Sequence, residues 1–207
     1  MQAETIEFKE GDASARFRST ESDWMSINDN SLSQGFPTRS GDSNVQMSIC
    51  FWMRAASFSY ENTIIAKYLI ATGDRSWRIF AGNQGLTMGA LKVGLGTDSG
   101  SRFETYTFDA SSQLLALNQW YHVAFTYRNS DRRYHVRVWD ATADALRFDA
   151  VGTMGSSLAV NNAPLTLGNL PLESRHYDGL LDEVVVFKDV LTVAEIDRIR
   201  QGAYGQP

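Results

Sequence analysis

The stretch from Tyr177 to Ile199 limits the possible folds more than any other part of the chain. Val184, Val185, Val186 and Phe187 are β-branched or aromatic, and such side chains suit a pleated, packed surface. Thr192 and Glu195 follow with the spacing of a capping box, in which each side chain satisfies a free amide at a helix start. Val193, Ile196 and Ile199 then give a helix of about two turns one apolar face. The segment predicts a strand, a turn and one short capped helix. At the end of a strand-rich chain, that order points to a binding sandwich rather than to an enzyme.

Period-two alternation runs through the rest. Val45, Met47, Ile49, Phe51 and Met53 share one face of a predicted strand over Val45–Arg54. Trp52, on the other face with Gln46, Ser48, Cys50 and Arg54, indicates that this second face is at least partly covered. Tyr121, Val123, Phe125 and Tyr127 alternate in the same way over Trp120–Arg128, as do Tyr134, Val136 and Val138 against His135, Arg137 and Trp139. Further strands are predicted at Thr5–Lys9 paired with Ala15–Arg18, at Trp24–Ile27, Thr63–Lys67, Ser76–Ala81, Ala90–Leu95, Arg102–Phe108, Leu146–Ala150, Leu165–Gly168 and Leu180–Lys188. Asn28–Asn44 is rich in Asn, Ser, Gly and Asp and reads as loop. Turn signals recur about every ten residues, the spacing of an all-β sandwich or jelly roll. With 207 residues, no linker and no repeat, the chain is expected to be one domain over residues 1–207.

Bulk properties remove whole classes of partner. The formal net charge is −5, which argues against a duplex-binding footprint of clustered Lys and Arg and against a polybasic membrane contact. No apolar run approaches the ~18 residues of a spanning helix, so no membrane insertion is expected. The first residues, Met1 to Glu7, carry neither a basic nor an apolar signal region. With 1 cysteine, Cys50, no intrachain disulfide can form, and its mid-strand position reads as an inert core thiol.

Four segments resemble the laminin-G-like jelly roll of the concanavalin A-like lectin/glucanase superfamily. Ala15–Ile27 is similar to that family's opening strand–turn–strand, and Met47–Arg54 to its first long core strand. Asn118–Tyr127 resembles the central "W-x-H-V-A-x-T-Y" strand. Pro164–Asn169, then Tyr177 to Ile199, resemble the closing strands and terminal helix. The resemblance implies an all-β, two-sheet antiparallel jelly-roll sandwich with one short C-terminal helix. Two stretches depart from it: the hairpin from Trp139 to Ala145 is longer than the usual tight turn, and Tyr60–Asn118 is long for the family.

The resemblance also implies a structural Ca²⁺, with Asp182 in the position of the usual closing-strand aspartate. Calcium takes six to eight oxygens, so Glu7 and Asp42 are the expected helpers. The alternative is that Asp182 and Glu183 are an acidic pair on an edge strand. For ligand binding, Tyr60, Trp77, Tyr106 and Trp139 fall in or near predicted loops and rims, where flat rings could stack on a sugar and neighbouring polar groups could meet its hydroxyls; ordinary packing is the competing reading of each. No catalytic residues are assigned. The Glu-x-Asp-x-x-Glu strand of the family's glucanases is missing, since Glu195 and Asp197 lie in the predicted helix with Arg200 where the last carboxylate would be. His122, His135 and His176 have neither zinc spacing nor a nucleophile elbow nearby.

These readings lead to a non-catalytic recognition module for a glycan or protein surface, at a cell surface, outside the cell or on a virion. The runner-up is a structural virion protein acting as a homo-oligomer, and the third reading is a glycoside hydrolase.

Overall fold

The computed structural model describes residues 1–82, 88–97 and 102–203. Among these residues, thirteen strands form two stacked antiparallel sheets. The seven-stranded sheet runs β1 (Gln2–Glu4), β2 (Ser14–Phe17), β13 (Gly179–Phe187), β4 (Gln46–Ala55), β9 (Tyr121–Arg128), β10 (Arg133–Asp140), β11 (Ala145–Thr153). The six-stranded sheet runs β3 (Met25–Ile27), β12 (Leu165–Leu167), β5 (Asn62–Leu69), β6 (Asp74–Gly82), β7 (Ala90–Thr97), β8 (Arg102–Phe108). The last two strands insert between early ones, β12 between β3 and β5, and β13 between β2 and β4. That order closes the jelly roll expected from the sequence.

Alternation builds the core. Met47, Ile49, Phe51 and Met53 of β4 and Tyr121, Val123, Phe125 and Tyr127 of β9 point inward and are fully buried against Trp77, Ile79, Leu91, Val93 and Leu95 of the facing sheet. The outer face of the seven-stranded sheet is narrow in the middle, because Cys50 and Ala124 present small side chains there. Helix α1 (Val193–Arg200) lies on that strip with Ile196 and Ile199 down. The capping box forms as the sequence indicates: Thr192 Oγ1 accepts from the Glu195 amide at 3.3 Å, and the Glu195 carboxylate accepts from the Thr192 amide at 2.7 Å. Val193, expected on the buried face, stays exposed in the first turn. Burial pushes the Cys50 thiol up to about 12, so it is protonated at neutral pH and packs as a small apolar group.

Two expectations are corrected. Strand β1 is Gln2–Glu4, not Thr5–Lys9. Glu4 is held by an ion pair with Arg16 on β2, after which the chain turns away and its amides at Lys9 and Glu10 bind Asp182 instead of a neighbouring strand. Trp77 is no rim aromatic. It has the inward parity of β6, is fully buried, and donates its indole N–H to Thr38 Oγ1 at 2.9 Å. A buried Trp requires such an acceptor, and the Asn28–Asn44 loop supplies it.

That loop also neutralises a charge in the core. Lys67 is fully buried, and its Nζ lies 2.7 Å from Asp29 Oδ1 and donates to the carbonyls of Asn161 and Ala163 at 2.7 and 2.8 Å. Removing one partner of such a pair strands the other without solvent. Lys67→Met is therefore expected to cost about 3–5 kcal/mol, because Asp29 and two carbonyls lose their donor. Denaturant unfolding of the two proteins measures the difference.

Candidate functional site

Beyond the end of α1, the outer face of the seven-stranded sheet changes from small to large side chains. Trp52 (β4), His122 (β9) and Trp139 (β10) are direct cross-strand neighbours on that face. Trp52 and Trp139 line the base of an open cleft of about 290 Å³, with His122 buried between them. Lys9 and Glu10 wall one side, Arg200, Gln201 and Gly202 another, and Ala141 and Asp144 of the β10–β11 hairpin a third. Lys9 Nζ sits 4.5 Å from the centroid of Trp52, and the Arg200 guanidinium carbon 3.9 Å from that of Trp139. Each indole thus carries a cation attracted by its ring quadrupole.

Every wall is fixed by a specific contact. Strand β13 has a bulge between Asp182 and Val185, with Glu183 at φ +47°. The bulge aims the Asp182 carboxylate at the N-terminal loop, where Oδ2 accepts from the amides of Lys9 (2.7 Å) and Glu10 (3.2 Å) while Oδ1 accepts from the Glu183 amide (2.9 Å). Burial lowers the Lys9 pKa, and the Asp182 charge opposes that shift. On the opposite side, Arg137 reaches Asp197 of α1 at 3.3 Å and Asp149 of β11 at 2.6 Å, which ties the helix to the sheet and sets the position of Arg200. Asp140 Oδ1 accepts from the amides of Thr142 (2.9 Å) and Ala143 (3.1 Å), so the longer hairpin noted in the sequence is a shaped turn beside the cleft.

His122 lies buried in the row between the two indoles. It packs edge-on to Trp52 with ring centroids 5.1 Å apart. Burial, reinforced by Arg200 and Arg137, depresses its pKa to about 3. The imidazole is neutral in the folded protein at pH 5, whereas an unfolded histidine, with its ordinary value of 6.5, is mostly protonated there. The unfolded state binds the extra proton, so stability is complete above pH 6.5 and falls as pH drops toward 3, by up to about 1.4 kcal/mol per pH unit from this group. Unfolding free energies measured from pH 7 to pH 4 are expected to show this slope, and His122→Gln is expected to flatten it.

The residues expected to bind ligand are dispersed. Trp139 lines the cleft. Tyr60 is 57% exposed before β5, on the other sheet, with the Arg175 guanidinium 5.2 Å from its ring centroid. Tyr106 lies at the open side between the sheets, where its ring is 4.4 Å from Tyr134 and its hydroxyl donates to Glu104. Trp77 belongs to the core, as described above. Sequence reading missed Lys9, Glu10, Asp144, Arg200 and Gln201, because three separate segments bring them together. The outward parity shared by Trp52, His122 and Trp139 was the available signal.

The expected calcium ligands do not fit that ion. Glu7 pairs with Arg54 at 3.1 Å and approaches Arg16 at 3.8 Å. Asp42 accepts from Lys188 Nζ at 2.6 Å and from the amides of Thr38 (2.9 Å) and Asn44 (3.1 Å). Asp182 already holds three amides. Each carboxylate is committed to its own positive or N–H partners, and among the described residues no three His, Cys, Asp or Glu side chains come together as a metal cage.

Comparison with known proteins places this architecture. A laminin-G-type family model described as "Concanavalin A-like lectin/glucanases superfamily" matches residues 19–197. The chain belongs to that superfamily. A search of curated proteins found no match. Among solved structures, the binding domain of Paraclostridial Mosquitocidal Protein 1 is similar, with TM-score 0.68 and 13% identity, over 97% of this chain and 45% of that one. A protein described as a putative carbohydrate binding protein from Bacteroides ovatus gives TM-score 0.61 and 16% identity over 94% and 47%. The CBM40 of Ruminococcus gnavus IT-sialidase, bound to α2,3 sialyllactose, gives 0.56 and 14% over 75% and 82%. The chain spans less than half the length of the first two, and at these identities the likeness shows the fold. No helix among the described residues is long and apolar enough to cross a membrane.

Proposed function

We propose that this superfamily member is a non-catalytic recognition module that takes a glycan in the Trp52–Trp139 cleft, at a cell surface or elsewhere outside the cell. The observation that carries the reading is the composition of the cleft: an aromatic floor in one cross-strand row, walled by donors on Lys9, Arg200 and Gln201 and acceptors on Glu10 and Asp144. Apolar rings with a few convergent polar groups are what a sugar, apolar on its faces and hydroxylated at its edges, requires. The sialyllactose-bound CBM40 and the Bacteroides ovatus protein support a glycan as the ligand class.

Two carboxylates do reach the cleft, but Glu10 lies against the backbone of Gly202, where an added Cβ would fall on its Oε1. Binding without turnover is the expected behaviour.

A glycan array probed with wild-type protein and Trp139→Ala tests the assignment. Wild type is expected to retain a defined set of glycans. The variant should lose at least about tenfold in affinity for them, as truncation of a central aromatic anchor costs on the order of 2 kcal/mol. Retention that is unchanged in Trp139→Ala, or no retention of any glycan by wild type, would overturn the proposal; release of cleaved product would return the hydrolase reading.

A further inference from the structure

One flank of the sandwich ends in blunted strands and the other does not. Strands β1 and β3, which close the two sheets on one flank, have three residues each. On the opposite flank β8 carries Arg102 and Glu104, and the chain leaving β11 reaches it where the Gly155 amide donates to Glu104 at 3.3 Å. Strand β11 is different: it has nine residues, no proline and no lysine. No described strand pairs with its outer side. An unpaired row of N–H and C=O groups accepts another strand unless charge, proline or a short length prevents it. Both charged side chains of β11 are engaged within the molecule. Asp149 pairs with His135 and, at 2.6 Å, with Arg137, both on β10. Arg147, the extra residue of a bulge opposite Val138 and Trp139, donates to the Leu114 carbonyl at 2.6 Å.

Beyond that bulge the regular strand runs from Phe148 to Thr153. Asp149, Val151 and Thr153 share the outer face with their β10 neighbours Arg137, His135 and Arg133. Val151 is 51% exposed. It lines a groove of about 290 Å³ together with Val190, Leu191 and Val193, from the approach to α1 and its first turn. The open edge therefore lies beside an apolar surface on the same face, and such surfaces mark places where a partner sits.

We propose that β11 is the docking edge for a second copy of this chain, antiparallel across a two-fold axis normal to the sheet. Charge selects the register. Alternation allows only pairings that keep outer residues opposite outer residues. An axis at Asp149 sets two carboxylates face to face, and an axis at Ala150 sets each Asp149 against an apolar Val151. An axis at Val151 pairs Val151 with itself and Ala150 with Gly152. It also puts each Asp149 opposite Thr153 of the second copy, with the exposed Arg133 of that copy one strand beyond, since Arg133 is the neighbour of Thr153. A β-branched pair and an acid facing a hydroxyl and a cation are favourable cross-strand combinations. Each copy offers the same groups to the other, as a two-fold contact requires. The two seven-stranded sheets become one, and both Trp52–Trp139 clefts open on one side. A multivalent glycan would then be held twice; only this consequence rests on the function proposed above.

Sedimentation equilibrium over the micromolar range, without added saccharide, tests the contact. Wild type is expected to be a reversible dimer. Val151→Lys changes an exposed side chain and sets two like charges at the axis, so it should be monomeric with an unchanged melting temperature. Arg133→Glu, which turns a like charge toward Asp149 of the second copy, should raise the dimer dissociation constant about tenfold or more. Cross-linking reads the register. Val151→Cys should form a disulfide dimer on mild oxidation, because the two thiols meet at the axis, whereas Leu146→Cys, also exposed on β11 but outside the paired stretch, should not. The native thiol, Cys50, is buried and adds no background. The two cysteine variants decide the question even if Val151→Lys does not fold. The inference is overturned if wild type stays monomeric, which would leave the edge to a different protein or to solvent. It is overturned equally if Val151→Lys or Arg133→Glu dimerises as tightly as wild type, or if Leu146→Cys cross-links as readily as Val151→Cys.

Discussion

Helix α1 can rest on the seven-stranded sheet only because Cys50 and Ala124 leave room beneath it, and the candidate cleft depends on that contact. Ile196 and Ile199 fill the space, and the apolar area they bury holds a two-turn helix that would not persist alone in water. The helix ends where the sheet surface rises to Trp52 and Trp139. Its last residues, Arg200 to Gly202, therefore become a wall rather than a cover. A large side chain at either small position would lift the helix and remove Arg200 from its place over Trp139.

Charged groups complete the architecture without a disulfide. Asp182 binds three amides and so holds a bulge and the N-terminal loop in one piece, which gives it a structural task in place of the cation site suggested by resemblance. Lys67 and Asp29 fasten the long loop to the core of the six-stranded sheet. Lys188 and Asp42 join that loop to the end of β13. Each pair links segments far apart in sequence, and each is shielded from water on at least one side. These links are therefore screened less by salt than exposed surface pairs are.

Much of the fold was legible because period-two patterning and turn chemistry are local. The alternation at Val45–Arg54 and Trp120–Arg128 located β4 and β9 to within a residue of their ends, and the Thr192–Glu195 spacing located the helix. Trp77 was misplaced because its partner, Thr38, is 39 residues away and sequence alone does not show that a loop folds back to accept its N–H. The cleft was half legible. Trp139 was identified, and Trp52 was recognised as lying on a covered face. Lys9 and Arg200 come from opposite ends of the chain and meet those rings only through the β13 bulge and the helix contact. Carboxylates were the least legible, since an isolated Asp reads the same whether it faces a metal, an amide or a cation.

Indole N–H chemical shifts test the central claim most directly, because the chain has 5 tryptophans and each gives its own signal. On titration with saccharides retained from the array, the account predicts shifts at Trp52 and Trp139 with Trp77 unmoved in the core. Shifts confined to Trp24, Trp77 or Trp120, or no indole shift with any saccharide, would contradict it.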